Sequence, residues 1–233
     1  MSAVLITGAS RGFGRELVDI YHSNGWTVFP LVRKQSDADS LSIRFPSECH
    51  PIVADVGLDS CASAIEKTLT ANADSLDLLI NNAGTIRKKR GMDGATPDDM
   101  IDHFNVHVVG AWRCTRAALP FLRKATRPVI VNITSRKGSI SFTAGAEGNL
   151  VYAYQIAKAA QNMLTGCLHQ ELQSQNINVI AVHPGGLRTS VAPPDADTEP
   201  ADAARALYSW LETMDTRRDF TCLDLMTGGT VPW

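Results

Sequence analysis

The stretch Thr7-Gly8-Ala9-Ser10-Arg11-Gly12-Phe13-Gly14 constrains this chain more than any other. It follows a short apolar run of strand type, Ala3 to Thr7, and precedes a helical pattern from Arg15 to Asn24. Glycines at this spacing permit a tight turn. They also let backbone N–H groups approach a pyrophosphate at a helix N-terminus. The pattern is Gly-x-x-x-Gly-x-Gly rather than Gly-x-Gly-x-x-Gly, and an ordinary turn is the plain alternative. Its place directly after the first strand favours a dinucleotide site. Gly8, Ser10, Arg11, Gly12, Phe13 and Gly14 are its candidate residues.

Trp26 to Val32 reads as a second strand. In NAD-binding chains of this design an acid about 20 residues beyond the glycines accepts from the ribose 2′-hydroxyl. That place holds Val32-Arg33-Lys34, with no acid until Asp37. The guanidinium fork of Arg33 suits a 2′-phosphate by charge and shape, and Arg11 can add a second cation. The pattern predicts NADP (NADPH) over NAD; otherwise Arg33 and Lys34 merely begin a solvated loop. His50 to Ala54 is a third strand, ending at Asp55-Val56. Asp55 is either an acceptor for an adenine amino group or an exposed loop acid. Leu76 to Ile80 is a fourth strand, ending in Asn81-Asn82-Ala83-Gly84. Those residues are either turn chemistry or a device that fixes the strands beneath a cofactor.

Helical patterns cover Cys61 to Thr70 and much of Pro97 to Ala125. Val129 to Thr134 is a fifth strand, followed by Ser135. Leu150 to Gln173 is a long helical segment. Ile177 to Val182 is a sixth strand, ending in His183-Pro184-Gly185-Gly186-Leu187-Arg188-Thr189. Ala192 to Pro200 reads as a loop, Ala201 to Met214 as a short helix and Phe220 to Leu225 as a last strand. The alternation predicts an α/β chain: a single-domain Rossmann fold over residues 1–233. Its doubly wound, mostly parallel seven-stranded sheet would carry helices on both faces. Ligands bind at the carboxyl ends of the strands in such sheets, where every motif above falls.

With 233 residues, 44% of them apolar, the chain can bury one large core. A net charge of -2 makes no electrostatic case for nucleic acid or an anionic membrane. The opening residues lack a basic n-region, and no apolar run approaches the ~18 residues of a spanning helix. The five cysteines form no Cys-x-x-Cys pair, so neither a metal site nor a disulfide framework is expected. A reduced, cytoplasmic protein is the simplest expectation.

Tyr154 and Lys158 form a Tyr-x-x-x-Lys pair at the head of the long helical segment. Four residues is about one helical turn, so the two side chains share a face. An ammonium beside a phenol favours the phenolate and is expected to lower its pKa. A phenol tuned in this way can give a proton to a carbonyl oxygen or take one from an alcohol. A solvated helix face is the plain alternative.

Taken together, these stretches resemble the short-chain dehydrogenase/reductase family. The matches are Thr7-Gly8 through Gly14, Asp55-Val56, Asn82-Ala83-Gly84, Ser135, Tyr154 with Lys158, and Pro184-Gly185 with Thr189, in family order across nearly the whole chain. Within the family the chain looks most like the C-factor/sniffer-type carbonyl reductases. That likeness rests on Val131 through Ile140, the long gap from Ser135 to Tyr154, Tyr152-Ala153-Tyr154 and the short tail ending in Trp233. The resemblance implies that Tyr154 is the general acid and that Lys158 lowers its pKa and holds the nicotinamide ribose. It implies that Ser135 hydrogen-bonds the substrate oxygen, and that Pro184, Gly185, Leu187 and Thr189 line the nicotinamide end. Gly8 through Gly14, Arg33, Asp55, Val56, Asn82, Ala83 and Gly84 would complete the cofactor site. Tyr152 is the weaker candidate acid, because Lys158 lies six residues on.

One position departs from the family. Its fourth catalytic residue is an asparagine that helps hold a water in a proton relay to the lysine. Counting back from Gly110 and Leu119-Pro120 puts that position at His107, with Asn105 two residues early. A histidine can also relay protons; it can equally be structural. The resemblance further implies a small carbonyl or alcohol substrate and a homo-oligomer, dimer or tetramer, paired through Trp112 to Leu122 and Ala153 to Leu172. The rival reading is a low-turnover NADP-binding sensor or signalling protein that retains the fold.

Overall fold

A computed structural model describes residues 2–86, 91–145, 150–189, 196–214 and 220–233. Its strands are β1 (Ala3–Thr7), β2 (Thr27–Val32), β3 (Ile52–Val53), β4 (Leu78–Asn81), β5 (Val129–Ile133), β6 (Asn178–His183), β7 (Cys222–Asp224) and β8 (Thr230–Val231). They form one sheet in the order β3-β2-β1-β4-β5-β6-β7-β8. All neighbours run parallel except β7 and β8. The helices are α1 (Gly12–Ser23), α2 (Gln35–Arg44), α3 (Ser60–Asn72), α4 (Gly91–Gly94), α5 (Pro97–Phe104), α6 (Gly110–Leu122), α7 (Ile140–Ala144), α8 (Tyr152–Leu172) and α9 (Pro200–Thr213).

Burial on both faces explains why the strands read as continuous apolar runs rather than alternating ones. In β1, Val4 and Ile6 pack with Phe13 and Leu17 of α1, Leu41 of α2 and Leu207 of α9. Leu5, between them, packs with Ile65 of α3, Ala118 of α6 and Leu172 of α8. The strand order reverses between β1 and β4, so a crevice opens at their carboxyl ends.

The expected seven strands are present, within two residues or so at their ends, and β8 is an eighth. Asp224 and Gly229 close a short turn, and Gly228 sits at a positive φ of 71°. A two-residue strand carries no periodicity in the sequence, so β8 had no signal. Helix α2 was also silent. Only Ala38 and Leu41 of its ten residues are buried, and its polar remainder reads like a loop. Part of the loop expected from Ala192 to Pro200 lies outside the described residues; Pro200 is the first residue of α9.

Candidate active site

The first turn is built around glycines that tolerate no Cβ. One added at Gly14 would lie 2.3 Å from the Gly8 carbonyl oxygen and 2.5 Å from Asn82 Nδ2. At Gly8, which holds φ +68°, it would lie 2.8 Å from the Ala83 Cα. The turn is tied to the end of β4 by Thr7 and Asn82. Thr7 Oγ1 accepts from the backbone N–H of Asn82 at 3.0 Å and of Ala83 at 2.9 Å. Asn82 Nδ2 donates to the carbonyls of Thr7 and Gly8 at 2.9 and 3.2 Å. Helix α1 begins at Gly12 with no side-chain cap and no acid in its first turn, so its positive end faces the crevice unneutralised. Arg11 precedes it and is exposed, as is Arg33 just beyond β2. The Phe13 ring packs in the core, which leaves only its backbone for the crevice.

Around the third strand the two expected residues have structural work. Asp55 Oδ1 accepts from the Gly57 N–H at 2.8 Å, and Val56 is buried against Gly110 at the start of α6. On the far side of the crevice, Gly185 follows β6 at a φ of +94°. A Cβ there would meet Thr198 Oγ1 at 2.6 Å. Leu187 bridges to Thr198, closing the segment on itself. Thr189 reaches back toward the glycine turn, its Cγ2 being 3.4 Å from where a Gly12 Cβ would stand.

Ser135 lies just beyond β5, with extended backbone. Its Oγ accepts from the Lys137 N–H at 3.2 Å, so its own O–H remains to donate. The Ser135 side chain acts on the Tyr154 phenol, and Lys158 Nζ lies 5.7 Å from the Tyr154 ring centre. Tyr154, not Tyr152, meets Ser135. Lys158 is buried, and its Nζ donates to the Ile133 carbonyl at 2.7 Å and to Gln161 Oε1 at 2.9 Å. The expected lowering of the phenol's pKa is not what this arrangement produces. Burial raises Tyr154 above its ordinary value, against a smaller lowering by the Ser135 hydrogen bond. Burial also pushes Lys158 down to about 7. The ammonium is turned to two carbonyl oxygens rather than to the phenol.

Helices α5 and α6 are joined by a π-helical turn, Asn105–Val109. The start of α5 is strongly specified: Pro97 stands at its first turn and Thr96 forms a capping box with Asp99. The π turn holds His107, which is buried, its ring edge-on to Tyr154 at 5.5 Å and 6.0 Å from His103. Single π turns recur at functional sites. His107 Nε2 lies 2.8 Å from the Thr85 carbonyl oxygen and 3.3 Å from the Thr85 N–H; donation to the closer carbonyl oxygen leaves Nδ1 as an acceptor. Among the described residues Nδ1 has no partner. Burial first, and then the Lys158 charge, hold His107 well below the ordinary histidine pKa. Gly84 must be a glycine, because a Cβ would lie 2.8 Å from the His107 ring. Asn105 is elsewhere: it donates to the Gly57 carbonyl at 2.9 Å and accepts from Arg113 at 2.8 Å. That answers which of the two residues faces Tyr154.

Residues 2–200 match the short chain dehydrogenase family. The chain belongs to that family. This dehydrogenase is 30% identical to the C-signal protein of Myxococcus xanthus over 158 residues, 68% of this chain and 93% of that one. It superposes on the NADPH-bound carbonyl reductase from chicken fatty liver with a TM-score of 0.88 and 25% identity, covering 100% of this chain and 99% of the other. The carbonyl reductase Sniffer of Drosophila melanogaster gives the same TM-score of 0.88 at 24% identity, over 100% of each chain.

Several supporting residues of the dehydrogenase lie beneath the expected site, and Asn81 fixes the strands as one of its two readings expected. Asn81 and Asn132 interrupt the apolar runs of β4 and β5 and pair across the sheet. Asn81 Nδ2 donates to Asn132 Oδ1 at 2.8 Å and to Thr115 Oγ1 at 3.2 Å. Asn132 Nδ2 donates to Thr165 Oγ1 at 2.9 Å. This buried network locks α6 and α8 to the strands that carry Asn82 and Ser135. The sequence alone assigns no site role to Asn132 or Gln161, and it places Thr7 only as part of the glycine turn. A mainly apolar cavity of about 320 Å³ opens on the opposite side of α8, lined by Ile140, Thr143 and Ile156 among others. It does not touch Tyr154 or Lys158.

Proposed function

We propose that this dehydrogenase is an NADPH-dependent carbonyl reductase, interconverting a small carbonyl compound and its alcohol. The observation that carries the reading is the meeting of Ser135, Tyr154 and Lys158 beside the crevice of the glycine turn. The residues present fit the cofactor. The glycines of the first turn let it pack directly on the end of β4, the uncapped end of α1 favours a pyrophosphate's charge, and Arg11 and Arg33 suit a 2′-phosphate where NAD enzymes carry an acid. When bound, NADPH supplies the hydride. The chicken reductase, similar over its whole length, is an NADPH-bound protein.

The chain's own residues handle the oxygen. Ser135 Oγ–H donates to the substrate carbonyl oxygen and orients it. Tyr154 Oη gives that oxygen its proton as the carbon takes the hydride. Lys158 opposes the phenolate charge left on Tyr154 and reaches toward the nicotinamide ribose. His107 Nδ1 is a buried acceptor that requires a donor. A water between it and Lys158 would meet that need and connect the lysine to a relay. The same reading takes residues 1–233 as one domain, working in the cytoplasm as a homo-oligomer.

A low-turnover sensor or signalling protein is the second reading, and likeness to the C-signal protein is what favours it. NADPH oxidation over a panel of aldehydes and ketones separates the two. The reductase reading expects turnover that falls roughly 10²–10⁴-fold in Tyr154→Phe, as loss of a general acid does. No turnover above the Tyr154→Phe variant on any member of the panel would overturn it.

A further inference from the structure

Gln161 has no place in the reaction just described, yet its side chain is buried against the group on which that reaction depends. It sits one turn beyond Lys158 on α8 and is 1% exposed. Its Oε1 accepts from Lys158 Nζ at 2.9 Å, while the Ile133 carbonyl at the end of β5 accepts at 2.7 Å. An ammonium has three donors. Two are therefore committed to protein oxygens, and one is left for the side of Tyr154 and the ribose. The Gln161 backbone is itself pinned, because its carbonyl accepts from Thr165 Oγ1 at 2.7 Å within the buried asparagine network.

Resting on the reductase reading of the site, we infer that Gln161 is a positioning residue. It aims the free donor of Lys158 into the active site and keeps that lysine in its charged form. The physical case is the cost of a buried charge. A buried ammonium survives only where its protons find acceptors. The Ile133 carbonyl belongs to the backbone and is always present; Gln161 is the side chain that supplies the second oxygen. Remove it, and the ammonium faces a neutral wall where its partner stood.

The groups that face Lys158 from neighbouring elements bear on its titration. Tyr154 lies on its own helix, and His107 on the π turn before α6, with His103 and Asp99 of α5 behind. His183 ends β6, Cys222 and Asp224 lie on β7, and Arg136 follows Ser135. Tyr154, His107 and Cys222 are neutral when the phenol and thiol are protonated and the imidazole unprotonated. Carbonyl oxygens, rather than a carboxylate, are thus what holds the charge at Nζ.

The experiment is a titration of Lys158 itself, followed by carbon-13 NMR of its ε-carbon in the full-length protein, with the signal assigned by its loss in Lys158→Met. Replacing Gln161 by Leu should lower the lysine's pKa by about one unit, the scale of one hydrogen bond to a charged group. Replacing it by Glu should raise that pKa, since an anion favours the ammonium. Gln161→Met keeps the length of the side chain and should behave as Leu does, which covers the case in which Leu disturbs packing. With 4-nitrobenzaldehyde as the carbonyl probe, the Leu variant should lose about tenfold in kcat at neutral pH and less than threefold in KM for NADPH. Opposite shifts from Leu and Glu are not expected of a residue that only fills space. A Lys158 titration unmoved in all three variants would overturn the inference. Full turnover in Lys158→Met would instead sink the reductase reading, while leaving the titration result intact.

Discussion

Burial drives the two central side chains in opposite directions, the Tyr154 phenol upward and the Lys158 ammonium down to about 7. Titratable residues displaced in this way fit the proton transfer proposed for this site. His107 completes the set by being held neutral. In the proposed relay its working form is the unprotonated one, because an imidazolium there would be buried and would oppose Lys158. Turnover should be full above its pKa and should fall as pH drops through it, at a pH below the ordinary histidine value of about 6.5. His107→Asn should flatten that acidic limb and keep much of the turnover; His107→Ala should slow turnover at every pH. An Ala variant with parental kcat and an unchanged pH–rate profile would reduce this histidine to packing. At the other end of the crevice, Arg33→Asp removes the cation and adds the acid that suits a ribose hydroxyl. Fluorescence titration should show NADPH binding tighter than NADH in the parent and the reverse order in the variant. Equal affinities in the parent would refute the role of Arg33.

At the scale of elements, the site depends on how β4 and β5 are locked to α6 and α8. Asn81 and Asn132 are partners, so neither can be removed without leaving polar atoms of the other stranded. Each single change to Leu should cost about 1–3 kcal/mol, the penalty for an unsatisfied buried group. The double change should cost less than the two singles together, because the partners leave at the same time. Urea unfolding of the four proteins measures the coupling. Strict additivity would mean that the hydrogen bond contributes nothing to the lock. The π turn is the second device at this scale. The α5–α6 helix widens there by one residue, and His107 faces Tyr154 while Asn105 faces Gly57 and Arg113.

For the molecule as a whole, one sheet face carries α3, α6 and α8. Trp112 on α6 is 42% exposed, and Ile156 and Met163 on α8 are 50% and 70% exposed. Large apolar side chains on two helices of one sheet face fit the pairing expected from the sequence. Light scattering at micromolar concentration should give a dimer or tetramer. Trp112→Glu combined with Met163→Glu should shift that mass toward the monomer. A monomeric mass for the parent would count against assembly through these helices. No helix among the described residues is long and apolar enough to cross a membrane.

The sequence by itself determined the order of the elements and the presence of the site. Periodicity, apolar runs and glycine spacing are local properties, and a short-chain dehydrogenase writes them along the chain in order. Tyr154 and Lys158 were legible as a pair because one helical turn sets their spacing, whereas Ser135 at a strand end drew its role from the family resemblance. Tertiary structure decided everything that depends on what lies across from a residue. The position of His107 could be counted from the sequence, but its orphan acceptor and its contact with Tyr154 arise where α5, α8 and the end of β4 converge. The sign of the Tyr154 shift could not be read from a four-residue spacing, since desolvation depends on the whole enclosure and outweighs the lowering by Ser135. Gln161 is the clearest case. In the sequence it is one more polar residue on a helix. In the fold it faces the lysine from the buried side, because α8 is packed so closely on the turn after β5 that a Cβ on Gly138 would stand 2.7 Å from the Lys158 backbone.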